Sequence, residues 1–314
     1  MITAAQVPRV ADRLDWQGIY PAALTMFDAA GHLDEEATGA HLERLVGEGA
    51  HGVVVGGTSG EFIALNERER QRLVSLAVAA VRGRVPVIAG TGWFSTAETI
   101  RLTRYAADAG ATGAIVILPY YQRPTVAEVM EHFRTVGRAA PIPIMIYNNP
   151  ANSGAPPLEA PQIRELYEGG FAHAVKSTFP TVHQVHELRA EVDENFRVFY
   201  GSFMAPLEGL AGGAHGWISG VLNVATVDAV ELWTAVQASD LVRARAAWAR
   251  ILPLKLLYTR QPLGAVGDLA IYRGILRLRG HEGGYCRAPL LDLTAEQTDR
   301  MRTLLEPRGL VPAA

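Results

Sequence analysis

The chain is short of lysine. Of its 29 basic residues only Lys176 and Lys255 are lysines, and the others are arginines. It has a single cysteine, Cys286, which excludes an internal disulfide and suits a reducing compartment. No apolar run reaches the roughly 18 residues that a bilayer-spanning helix needs. The opening MITAAQVPRVADRLDW lacks a basic start followed by an apolar core, so no secretory leader is expected. A formal net charge of −3 gives no electrostatic reason to bind nucleic acid or an anionic membrane. Together these absences point to a cytoplasmic enzyme or binding protein. What the chain has in quantity is apolar residues, 49% of 314, enough for a substantial core.

Those apolar residues come in a beat. Candidate strands cover 18–27, 52–57, 85–92, 113–119, 142–147, 171–177, 196–202 and 215–220. They are apolar nearly throughout, as parallel strands buried on both faces should be. Helical patterns fill the gaps at 33–49, 66–84, 96–110, 125–138, 158–168, 181–192, 203–213 and 225–239. The second opens with Asn66 and carries Glu69 three residues later, a capping-box pattern. Eight such units joined by short turns predict a closed (β/α)8 barrel, an α/β TIM barrel, over residues 1–239. An open doubly wound sheet is the competing architecture. Neither a GxGxxG after the first strand nor a Walker GxxxxGK[ST] is present. From residue 240 the pattern changes to three helices without strands, so 240–314 reads as a C-terminal helical region packed on the barrel.

In such barrels the chemistry sits at the C-terminal ends of the strands. Here those ends supply Thr58, Ser59, Gly60 and Glu61, then Gly90, Thr91 and Gly92, then Tyr120 and Tyr121, then Tyr147 and Asn148. Lys176, Ser177 and Thr178 follow, with Gly201, Ser202, Ser219 and Gly220 last. No His, Asp or Cys stands among them, and Glu61 is the one carboxylate, which argues against a metal site and against a Ser-His-Asp set. His183 and His186, three apart on a helix, lack a third ligand and read as a solvated face. What remains is one amine among hydroxyls and phenols. A neutral lysine attacks a ketone to form an imine, which draws electrons from the neighbouring carbon. Arginine cannot, because it stays protonated.

Several stretches carry a resemblance to a known family. GGTSGE (56–61), LPYYQRP (118–124), YNNP (147–150), VKST (175–178) and the run from Gly201 to Asn223 are similar to the dihydrodipicolinate synthase / N-acetylneuraminate lyase family. These are barrels of the class I aldolase type. The resemblance covers nearly the whole chain. It implies a lyase that forms a Schiff base with pyruvate or another 2-oxo acid and needs no metal or organic cofactor. By the same resemblance Lys176 is the Schiff-base lysine and Tyr147 the proton shuttle. Thr58, Ser59 and Gly60 cradle the substrate carboxylate, Ser59 and Tyr121 extend the relay, and Ile218 packs beside the pyruvoyl group. Tyr121 would come from a neighbouring subunit of a homotetramer, a dimer of dimers.

The chain departs from that pattern at one informative place. In family members that make the lysine precursor, an arginine follows the Y-N-x-P element by two residues. Here that position is Asn152, and an amide cannot replace a bidentate guanidinium. The expectation is therefore carbon–carbon bond formation or cleavage, or loss of water or ammonia, on a 2-keto-3-deoxy sugar acid type of substrate, with the lysine-pathway synthase as alternative. Asn152 and Ser202 are expected to set specificity. A non-catalytic sugar-acid-binding barrel is one further reading. A sugar-phosphate isomerase, with Gly201, Ser202 and Gly220 around a phosphate and Glu61 as base, is another.

Overall fold

A computed structural model describes residues 14–313; the opening segment read for a leader lies, up to residue 13, outside them. The expected alternation is present. Strands β1 (Gly18–Pro21), β2 (Val53–Val55), β3 (Val87–Gly90), β4 (Gly113–Ile117), β5 (Ile144–Asn148), β6 (Ala174–Ser177), β7 (Arg197–Tyr200) and β8 (Gly216–Ser219) form one parallel sheet in the order β1-β8-β7-β6-β5-β4-β3-β2. A single parallel bridge, Ala22 to Val54, joins the two ends of that order, with the Ala23 N–H donating to Val54 O at 2.8 Å. The sheet thus curls into a barrel, and the open doubly wound alternative is excluded.

Helices α1 (Glu35–Gly47), α2 (Glu67–Val81), α3 (Thr96–Asp108), α4 (Val126–Ala139), α5 (Ala160–Glu168), α6 (His183–Glu191), α7 (Pro206–Ala211) and α8 (Leu222–Gln237) alternate with the strands. Local sequence places their ends. Asn66 and Glu69 form the capping box read from the sequence, and Thr125 with Glu128 does the same for α4. Gly49, at φ 93°, follows α1 in the left-handed conformation that stops a helix. Three helices without strands follow: α9 (Leu241–Arg260), α10 (Asp268–Leu278) and α11 (Ala295–Leu305).

Two expectations shift. The first strand ends at Pro21 rather than continuing to residue 27. Residues 22–27 stay buried, but beyond Ala23 side chains take over from strand partners: Leu24 N–H donates to Asn223 Oδ1 at 3.1 Å and Met26 N–H to Thr38 Oγ1 at 3.1 Å. An apolar run signals burial, not who satisfies its backbone. Likewise α8 begins at Leu222, three residues early, and breaks at Ala225 (φ −137°, ψ 23°).

Strand side chains alternate between two buried environments. Ile115, Ile117, Met145, Tyr147, Ala174, Phe199 and Ile218 pack together in the barrel interior. Their neighbours Ala114, Val116, Ile144, Ile146, Val175 and Val198 pack outward with the helices. Both faces being buried is why the strands read as continuous apolar runs.

Candidate active site

The period of two decides where Lys176 goes. On β6, Val175 faces the helices, so Ala174 and Lys176 face the interior. In register, Tyr147 on β5 lies beside Lys176, and Phe199 on β7 lies on its other side. The lysine is only 6% exposed, and its Nζ sits 4.1 Å from the centroid of the Tyr147 ring. Room for its stem comes from Gly201: a Cβ there would fall 2.9 Å from Lys176 Cγ and 2.2 Å from Thr178 Oγ1.

The Tyr147 phenol has two further neighbours. Asn149 Nδ2 donates to it at 2.9 Å, and Thr58 Oγ1 lies 3.5 Å away. Burial pushes the phenol pKa up, but the Lys176 charge and the hydrogen bonds from Thr58 and Asn149 outweigh it, leaving the pKa below the ordinary value. A phenol so placed gives up its proton more easily than a free tyrosine.

Thr58 belongs to the turn after β2. Gly60 N–H and Phe62 N–H donate to Gly57 O, and Glu61 N–H donates to Thr58 O. Among the described residues no acceptor meets the N–H groups of Thr58 and Ser59, and Thr58 lines the pocket. Such a turn with adjacent hydroxyls suits an anion. It is held tightly: a Cβ on Gly90 would fall 2.0 Å from Gly56 O, so β3 and the turn meet backbone to backbone. Ser59 is buried against β8, its Oγ 2.6 Å from where a Cβ on Gly220 would be. Gly60 is clamped by Thr25 Oγ1, which donates to its carbonyl at 2.7 Å. Arg70 supports the neighbouring strand end, donating to Gly90 O and Gly92 O between the Phe62 and Trp93 rings.

Lys176, Tyr147 and Thr58 therefore line one pocket with Gly56, Gly57, Gly90, Gly92 and Ile117. Ile218 is fully buried in the same interior cluster as Tyr147. Three expected site residues lie apart. Tyr121 is 91% exposed at φ 71°, outside its own chain's pocket. Asn152 sits in an exposed turn, its N–H donating to Asn149 O at 3.2 Å. Ser202 Oγ accepts Met204 N–H, and its carbonyl accepts the Trp217 indole N–H. Tyr120 packs edge-on against Phe62. His183 pairs with Glu187, and the His186 ring lies against Gly212. No group of three or more His, Cys, Asp or Glu converges among the described residues. Asn149 was missed by sequence reasoning, although a second asparagine at a strand end was a signal.

Glu61 removes one alternative. It is buried, its carboxylate 2.6 Å from Arg273 Nη2, and it accepts the Arg287 N–H at 2.9 Å. The isomerase reading needs this group as a free base, and it is bound to the C-terminal helices instead.

A barrel that turns one of its two lysines inward at the end of β6, under a phenol, belongs among the lyases that work through a Schiff base. The comparisons agree: the chain belongs to the dihydrodipicolinate synthetase family, whose model matches residues 15–307. It is 35% identical over 291 residues to a 4-hydroxy-tetrahydrodipicolinate synthase of Methanothrix thermoacetophila, covering 92% of this chain and 96% of that one. A synthase of the same name from Symbiobacterium thermophilum is 36% identical over 290 residues, covering 92% and 97%. Among solved structures, a dihydrodipicolinate synthase from Aquifex aeolicus superposes with a TM-score of 0.87 at 31% identity, covering 95% of this chain and all of that one. YagE, a prophage protein of E. coli K12 solved in complex with pyruvate, gives 0.86 at 28% identity, with 95% and 100% covered.

Proposed function

We propose that the chain binds pyruvate or another 2-oxo acid as an imine on Lys176 and makes or breaks a bond beside it. The position of the Lys176 amine carries this reading: buried, interior, and 4.1 Å from the Tyr147 ring. The neutral amine attacks the keto carbon, forming a C–N bond while the Tyr147 phenol delivers a proton to the keto oxygen. The phenolate recovers a proton from the nitrogen, and a second transfer lets the oxygen leave as water. The resulting iminium draws electrons from the adjacent carbon, so a C–C bond forms or breaks there, or water or ammonia is eliminated. Thr58 and Ser59 hold the substrate carboxylate through hydroxyls and N–H groups, and Gly60, its own N–H engaged by Gly57 O, shapes the turn that presents them. Ser59 extends the proton path, and Ile218 packs on the pyruvoyl carbon chain.

The reading extends to assembly. Tyr121, exposed on this chain, reaches the pocket of a second copy in a tetramer built as a dimer of dimers. The barrel, 1–239, carries the chemistry, and 240–314 braces it, in a cytoplasmic protein. For the second substrate, Asn152 is exposed and offers no cation where the lysine-pathway synthases carry arginine. This favours a 2-keto-3-deoxy sugar acid type of substrate over the reaction named for the Methanothrix and Symbiobacterium relatives.

Intact mass after incubation with pyruvate and borohydride tests the core of the reading. A pyruvate-sized adduct is expected on the wild type and not on Lys176→Ala. A folded wild type that gains no adduct from pyruvate or from longer 2-oxo acids rejects the imine.

A further inference from the structure

Asn149 stands at the third position of the Y-N-x-P element, which the family pattern leaves unspecified. It is 3% exposed, and Nδ2 donates to the Tyr147 phenol at 2.9 Å. Its Oδ1 is buried without a hydrogen-bond partner. The head of this side chain therefore makes one bond, and that bond is to the phenol. Burying an amide with one end unsatisfied costs stability that an apolar residue of the same size would not. The cost points to a use.

The geometry points to Asn149 as a positioning residue that fixes the direction in which Tyr147 passes its proton. A phenol has one proton and two lone pairs. When the Asn149 amide donates to one lone pair, the phenol proton is turned away from β5, towards Thr58 and the Lys176 side of the pocket. An amide does not titrate, so Asn149 cannot relay the proton itself. It can only hold the oxygen and stabilise it while it is negative. The reverse orientation, with Oδ1 accepting the phenol proton, would leave a buried NH2 group unpaired, a worse arrangement than an unpaired carbonyl.

The surroundings leave this role to Asn149. Lys176, from β6, is the charged group acting on the phenol. From the β4 side comes Tyr120, a second phenol at the edge of the interior cluster, and from the β2 turn the uncharged Thr58 at a longer 3.5 Å. Glu61 is engaged by Arg273, and Arg70 lies behind Phe62. The loss of its pKa-lowering hydrogen bond follows directly if Asn149 is removed.

This inference rests on Tyr147 being the proton shuttle, and the experiment separates the two. The pH dependence of imine formation with pyruvate, read by borohydride trapping, is compared for wild type, Tyr147→Phe, Asn149→Leu and Asn149→Asp. Asn149→Leu keeps the volume without the donor, and the Tyr147 limb should move up by about one pH unit with trapping at least about tenfold slower at neutral pH. Asn149→Asp is isosteric but accepts the phenol proton, so its shift should be larger in the same direction. If Tyr147→Phe keeps the wild-type limb, the reading of Tyr147 fails. If Tyr147→Phe abolishes the limb but both folded Asn149 variants leave it in place, the positioning role is overturned. Should Asn149→Leu not fold, the isosteric Asp variant decides alone.

Discussion

Glu61 and Arg273 form an ion pair at 2.6 Å with side chains 3% and 0% exposed, joining the turn after β2 to α10. Arg273 also donates to Thr25 O at 2.9 Å and Gly283 O at 2.8 Å. The same turn carries Thr58 and Ser59, so α10 braces that turn from behind. Arg273→Leu leaves the Glu61 carboxylate buried without its ion-pair partner, held only by the Arg287 N–H, which should cost about 3–5 kcal/mol. Urea denaturation checks the stability. An unchanged midpoint would mean that the turn holds without the helices.

Lys176→Arg keeps the charge over the Tyr147 ring and removes the nucleophile. The variant should fold with a near wild-type melting temperature, trap no 2-oxo acid, and lose turnover by at least about 10^3-fold. Retained turnover would reject the Lys176 imine and place the chemistry on another group.

Lys176→Met tests the electrostatics of the phenol. In the wild type Tyr147 ionises below the ordinary value of 10.0, because the Lys176 charge and hydrogen bonds overcome burial. With the charge gone, burial dominates and the pKa should rise above that value. The Tyr147 contribution to the phenolate absorbance, obtained by subtracting the Tyr147→Phe spectrum, reads this directly. No upward shift would show that Lys176 does not act on the phenol.

Gly201→Ala should damage the site more than the fold. The new Cβ would meet Thr178 Oγ1 at 2.2 Å, Lys176 Cγ at 2.9 Å and Ser177 O at 3.0 Å. Overpacking of this kind costs about 1–3 kcal/mol. Displacing the amine by a fraction of an ångström should slow trapping by about 10–100-fold. A variant destabilised as expected but trapping at the wild-type rate would place the amine elsewhere.

Acid should weaken the fold through a buried histidine. His41, held by Asn223 Oδ1 at 2.7 Å, has its pKa pushed down to about 3 by burial. Its folded value lies below its unfolded one, so the unfolded state binds the extra proton between about pH 6.5 and 3. Stability present above pH 6.5 is therefore lost as pH falls through that window. His41→Gln should flatten the slope by about 1.4 kcal/mol per pH unit. Denaturant midpoints between pH 7 and 4 measure it, and an unchanged slope would exclude His41.

The barrel was legible because its signals are local. Capping boxes, Gly49 and continuous apolar runs need only near neighbours in the chain. Where the partner was distant the reading overran. Residues 22–27 look like a strand because they are buried, yet the N–H groups of Leu24 and Met26 are satisfied by the side chains of Asn223 and Thr38. Lys176, Tyr147 and Thr58 were candidates because they stood at strand ends, and the barrel brings the three to one pocket. Asn149 was not a candidate, because its partner is a phenol two residues away and no pattern names it.

The sequence by itself determined the alternation of strands and helices, the scarcity of lysine, and the placing of one lysine at a strand end. Only the tertiary structure decided that Tyr147 lies in register with Lys176, that Glu61 is bound by Arg273 rather than free, and that Tyr121 points out of its own pocket. The physical reason is sequence separation. Composition and periodicity report a residue's burial and local conformation. Which group shifts a pKa, fills a lone pair or occupies a carboxylate depends on contacts between residues as distant as Glu61 and Arg287, 226 positions apart, and these exist only once the barrel has closed.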